Sequence, residues 1–81
     1  MKIQKAVAMR MAELLAQKNM SYYALANKSG LTKQAISNIV NLKYGNIKFE
    51  TVAKIAFALD MTLAQFLDSK FFEKANLDFD L

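Results

Sequence analysis

Leu25-Ala26-Asn27-Lys28-Ser29-Gly30-Leu31-Thr32-Lys33-Gln34-Ala35-Ile36-Ser37-Asn38-Ile39-Val40 is the stretch on which the fold turns. Gly30 lacks a Cβ and so permits the positive φ of a tight turn. Thr32 offers a side-chain oxygen to cap a following helix, predicted over residues 33 to about 41. That helix divides into two faces. Ala35, Ile36, Ile39 and Val40 lie on one side, and Lys33, Gln34, Ser37, Asn38 and Asn41 on the other. The segment before Gly30 carries Leu25 and Ala26 and reads as a short helix from Tyr22, capped by Ser21. Ala26 sits where two helices joined by this turn come closest, and a larger side chain there would push them apart. Leu25, Leu31, Ile36 and Ile39 are expected to fasten both helices to the rest of the core.

Helical spacing continues outward on both sides. Ile3, Val7, Met11, Leu14 and Leu15 mark one stripe of a first helix from about residue 3 to 18, with Lys2, Lys5, Glu13 and Gln17 off it. Asn19, tolerant of the left-handed conformation, is a natural stop. After a loop at 42–48 containing Gly45 and Asn46, a fourth helix is predicted over 49–59, burying Val52, Ile55, Ala56 and Leu59, with Asp60 at its left-handed stop. Thr62 and Gln65 form a capping-box pair for a fifth helix carrying Leu63, Phe66 and Leu67. Met9, Met11, Met20 and Met61 read as core filler, and Phe49, Phe57 and Phe66 as core aromatics. With no Pro and two Gly, the fold class is all-α: a compact five-helix domain over residues 1–68 with a short C-terminal arm over 69–81. The arm holds Phe71 and Phe72, then alternates as Leu77, Asp78, Phe79, Asp80 and Leu81. It is open to three readings, a short strand, an arm laid over the core or a frayed end; its apolar groups favour docking on this chain or a partner.

Eighty-one residues, 54% hydrophobic and 22% charged, supply one core and leave no length for a second domain. No run is long and apolar enough for a membrane span, and the N-terminus has no secretory core, which leads to the expectation of a cytoplasmic protein. The chain has neither Cys nor His. That removes thiol nucleophiles, imidazole bases, disulfides and Cys/His metal sites. Glu13, Glu50 and Asp60 are scattered over separate elements, so no catalytic residues, metal site or cofactor is expected and the chain does not read as an enzyme.

Charge narrows the function further. Residues 1–59 hold nine basic and two acidic side chains, a net +7, while residues 60–81 hold two and five, a net −3. No acid lies between Glu13 and Glu50, yet Lys18, Lys28, Lys33, Lys43 and Lys48 do, which directs a positive field toward a polyanion. Two short helices joined by a tight turn, the second polar on its outer face, suit the major groove of DNA, which is wide enough for one α-helix.

The run Leu25-Ala26, Ser29-Gly30-Leu31-Thr32, Ile36-Ser37 and Ile39, followed by Glu50-Thr51, Ile55-Ala56, Ala58-Leu59 and Phe66-Leu67, resembles the Cro/C1-type (XRE-like) helix-turn-helix DNA-binding proteins of bacteria and their phages. The resemblance spans about residues 10–67. It implies a lambda-repressor-like fold in which the second helix lies across the groove and the third enters it. It places Lys33, Gln34, Ser37 and Asn38 at bases, and Thr32 and Asn41 at phosphates, with Tyr22, Lys43 and Arg10 as further phosphate contacts. The chemistry agrees: Gln34 presents donor and acceptor together to adenine, Lys33 reaches guanine or phosphate, and Ser37 and Asn38 are short enough to report on neighbouring pairs.

The resemblance also implies a transcriptional regulator, a repressor on a palindromic operator, bound as a homodimer whose contact surface is the fifth helix or the arm. An alternative is an antitoxin or antirepressor that captures a partner protein through Phe71, Phe72, Leu77 and Phe79. Three departures from the family stand out. Tyr22 replaces a common Gln at the start of the second helix, and Lys48 replaces a common Ser cap after a lengthened loop. Leu15 and Val40 occupy the positions of a buried Arg–Glu pair, and apolar packing of the two against each other is the expected replacement.

Overall fold

The protein is described here by a computed structural model covering residues 1–79. Each of its helices begins or ends on a residue suited to that task. The hydroxyls of Ser21, Thr32 and Thr62 accept the amides of Ala24, Ala35 and Gln65 at 3.1, 3.0 and 3.0 Å. Gln65 returns the favour to the Thr62 amide at 2.8 Å, completing the capping box. Asn19, Gly30 and Asp60 carry φ of 52°, 75° and 58°, the left-handed turns that end three of the helices. The elements so bounded are α1 (Ile3–Lys18), α2 (Tyr22–Ser29), α3 (Lys33–Val40), α4 (Phe49–Ala58) and α5 (Leu63–Leu67). No strand occurs among the described residues.

The helices enclose one core. Met11, Leu25, Ile36, Ile39, Ile55, Leu59 and Phe66 are fully buried and drawn from every helix or its cap. Val7, Leu14 and Leu15 of α1 and Val52 and Ala56 of α4 complete it. The helix pair α2 and α3 rests on this scaffold, α2 against α4 and α3 against α1. Ala26, at 4% exposure, is the small residue that allows the pair to close.

Five apolar side chains expected inside lie outside, Val40 at the end of α3 among them. Phe49 and Phe57 are 70% and 77% exposed, and Met9 and Ile3 are also on the surface. The cause is helix phase. With roughly 100° between successive residues, the buried stripe Val52, Ile55, Ala56 and Leu59 leaves Phe57 facing the opposite way. Phe49 is the first residue of α4, at the edge of that stripe. Phe66 alone of the three expected core aromatics is buried.

The arm docks on its own chain. Of two single turns of 3-10 helix, Lys70–Phe72 packs on α1 and Lys74–Asn76 on the first turn, and the Phe72 ring stands 6.2 Å from that of Phe66, tilted 44°. The N-terminal ammonium donates to the Asn76 carbonyl at 2.7 Å and pairs with the Asp78 carboxylate at 2.8 Å. The Asp78 amide donates to the Met1 carbonyl at 2.9 Å. The hydrogen bond from that ammonium, and then its charge, hold the Asp78 carboxyl below its ordinary pKa. The alternating stretch forms no strand as far as Phe79; Asp80 and Leu81, its last two members, lie outside the described residues.

Candidate nucleic-acid interface

α3 owes its two faces to the order of its residues. Ile36 and Ile39 are anchored in the core, so Lys33, Gln34 and Asn41 are exposed while Ser37 and Asn38 sit half-exposed between them. Two side-chain bridges at i, i+4 spacing organise that outer face: Gln34 Nε2 donates to Asn38 Oδ1 at 2.9 Å, and Asn41 Nδ2 donates to Ser37 Oγ at 3.1 Å. Pairing the amides in this way holds their remaining donors and acceptors in a fixed orientation. Thr32 uses one oxygen lone pair on the Ala35 amide, which leaves its O–H able to donate outward.

The exit from α3 is a Schellman-type turn. Lys43 N–H donates to the Asn38 carbonyl at 2.8 Å and Leu42 N–H to that of Ile39 at 3.2 Å, with Leu42 at φ 57°. A left-handed leucine costs about 1–2 kcal/mol. The turn brings Lys43 directly beyond the end of α3, on the exposed loop.

A residue that sequence reasoning missed also belongs to this face. The Lys33 ammonium lies 4.1 Å from the centroid of the Tyr23 ring, a cation–π contact between α2 and the first residue of α3. Ten residues separate the two in the chain, so only the packing of α2 on α3 brings them together. Tyr22 and Tyr23, both exposed, flank a groove of about 310 Å³ whose far wall is Lys33, Ile36, Ser37 and Val40.

Arg10 is engaged by the end of α5. Its Nε donates to the Phe66 carbonyl at 2.7 Å and its Nη2 to the carbonyls of Gln65 at 3.0 Å and Asp68 at 3.4 Å. Its Nη1 pairs with Glu13 at 2.8 Å, and the side chain is 11% exposed. The guanidinium caps the carbonyl end of α5, where the helix dipole favours a cation, and straps it to α1. Arg10→Ala should cost about 2 kcal/mol, as loss of charge-assisted hydrogen bonds does, and leave the salt dependence of DNA binding unchanged. A thermal melt and a salt titration check the two halves. Arg10→Lys should recover little, since an ammonium lacks the planar fork that reaches three carbonyls.

A helix anchored inward by isoleucines, polar outward, and joined through a glycine turn to a helix beneath it is a helix-turn-helix unit. The family model for the Cro/C1-type HTH DNA-binding domain matches residues 10–71. The chain belongs to this family. Among curated proteins, none matches the sequence at a significant level. This Cro/C1-type domain therefore binds DNA, and α2 and α3 are its helix-turn-helix. The match begins at Arg10 and ends at Phe71, so it takes in the α1–α5 strap and stops within the first turn of the arm.

One departure of this Cro/C1-type domain is resolved differently from expectation. Leu15 is buried at 4% exposure, but Val40 is 38% exposed, so the two do not form a buried apolar pair. Val40 follows Ile39 by roughly 100° of helix rotation, which carries it off the core stripe and to the rim of the groove beside Tyr22 and Tyr23. Among the described residues, no helix is long and apolar enough to cross a membrane.

Proposed function

We propose that this domain is a sequence-specific transcriptional repressor, acting in the cytoplasm of a bacterium or on a phage genome. It lays α3 in the major groove and occupies a palindromic operator as a symmetric pair. Lys33, Gln34, Ser37 and Asn38 read base edges; Tyr22, Thr32, Asn41 and Lys43 hold the backbone. The observation that carries the reading is the outer face of α3. Its amides are oriented by the Gln34–Asn38 and Ser37–Asn41 bridges, and its members stay exposed or half-exposed among the described residues, where the first turn of the arm lies against α1. The charge supports the same assignment, since the acid-free stretch between Glu13 and Glu50 includes the whole helix-turn-helix.

Capture of a partner protein by the arm has less in its favour. Phe72 packs on the chain's own core, Phe71 is half-buried and Leu77 is partly covered, leaving Phe79 as the one arm aromatic exposed among the described residues. No catalytic role is proposed.

Selection of bound duplexes from a random pool, at two salt concentrations, tests the proposal. The expected result is an inverted repeat with half-sites about one helical turn, ~34 Å, apart. Its affinity should fall at higher salt while its sequence preference persists. Recovery of unrelated sequences at both concentrations would leave backbone attraction alone.

A further inference from the structure

Three of the four side chains assigned to base edges are steadied from within α3. Gln34 and Asn38 hold each other, and Ser37 is held by Asn41. Lys33 has no such neighbour. It is the first residue of α3, where the helix dipole disfavours a cation, and among the described residues no carboxylate pairs with it. What holds it comes from the other helix. The Lys33 ammonium stands over the ring of Tyr23 in α2, 4.1 Å from the centroid, well inside the ~6 Å reach of a cation–π contact.

A ring does at this position what a carboxylate could not. A carboxylate in its place would neutralise the ammonium and set a negative charge against the phosphates of DNA. The negative face of an aromatic quadrupole attracts the cation and leaves its net charge whole. A lysine is also among the side chains with the most rotamer freedom to lose, so one already anchored gives up less on meeting a base. The anchor is itself well founded. Ser21 caps α2 just ahead of the two tyrosines, and Leu25 and Ala26 fix the helix to the core. The Tyr23 ring is 57% exposed, so the core makes little use of it.

We infer that Tyr23 is a positioning residue for sequence reading: its ring face holds Lys33 at the seam of α2 and α3, so that the ammonium reads one base pair instead of ranging over neighbouring phosphates. This deepens the proposed function and rests on its assignment of Lys33 to a base edge. The class of base follows from the chemistry. An ammonium donates and cannot accept, and guanine offers two acceptors, O6 and N7, side by side in the major groove. The pair read through Lys33 is therefore a G·C pair.

Selection of duplexes from a random pool by the native chain, Tyr23→Phe, Tyr23→Leu and Lys33→Met tests the inference. All four should show the same helical circular dichroism. Lys33→Met should lose preference at one G·C position of the native sequence. Tyr23→Leu, which keeps an apolar side chain without a quadrupole, should weaken preference at that position and at no other. Tyr23→Phe, the conservative variant, keeps the ring face and should recover the native sequence. An exposed cation–π contact is worth about two- to five-fold in an equilibrium constant, so Tyr23→Leu should lower affinity for the duplex selected by the native chain by that factor. In a Lys33→Met background it should lower it no further.

A loss in Tyr23→Phe as large as in Tyr23→Leu would assign the effect to the hydroxyl and overturn the inference. Unchanged preference in Tyr23→Leu, weakening at a different position, or a Tyr23→Leu loss that persists without Lys33 would each overturn it as well. Full native preference in Lys33→Met would overturn the underlying assignment of Lys33 and the inference with it. That outcome is told apart because it is read from the lysine variant alone.

Discussion

Phe66→Ala lowers the melting temperature by roughly 12–40 °C. The ring is fully buried where α5 meets the core, and removing such a ring costs about 3–5 kcal/mol, part in lost transfer energy and part in the void left behind. In a domain of this size each kcal/mol shifts the midpoint by about 4–8 °C. Two local features prevent the site from collapsing to fill the space. Arg10 grips the Phe66 carbonyl at 2.7 Å, and the Phe72 ring is seated 6.2 Å away. Thermal and urea melts followed by circular dichroism measure the effect. Phe66→Leu, which keeps most of the volume, should fall between the variant and the native chain. A drop of less than about 5 °C for Phe66→Ala would mean that α5 contributes little to the core.

The second large effect is on recognition. Gln34→Ala with Asn38→Ala should erase most of the preference for the selected operator while leaving affinity for unrelated duplex nearly intact. A good bidentate base contact discriminates by about 1–3 kcal/mol, so each side chain is worth roughly 5- to 150-fold. The two will not add. Gln34 and Asn38 are hydrogen-bonded at 2.9 Å, so each single substitution releases the other amide from its fixed orientation, and the double variant should lose less than the product of the singles. Lys43→Ala should behave oppositely, weakening operator and unrelated duplex alike and lowering the salt slope by about one unit. Titrations of all four proteins on matched and scrambled duplexes separate these outcomes. Unchanged discrimination in the double variant would remove base reading from α3.

Most of the fold is legible in the sequence because it is written in local chemistry. Ser21, Thr32 and Thr62 cap, and Asn19, Gly30 and Asp60 turn left-handed, for reasons confined to three or four neighbouring residues. The core stripes follow from helix period. Phe57 falls outside the spacing of Val52, Ile55, Ala56 and Leu59, so helix phase outweighs hydrophobicity and leaves it exposed. Val40 fails in the same way, one residue past Ile39. The role of Arg10 was hidden for a different reason. Its partners are backbone carbonyls 55 to 58 residues away, and a carbonyl has no signature in a sequence. The contact of Tyr23 with Lys33 is likewise tertiary, depending on how α2 lies on α3.

Phe72 touches two matters at once. Its ring backs the buried Phe66 and also forms part of the wall of an apolar recess at the start of α4. Proteolytic trimming ahead of this residue would therefore erode heat resistance and strip one wall from that recess together, while sparing the helix-turn-helix itself.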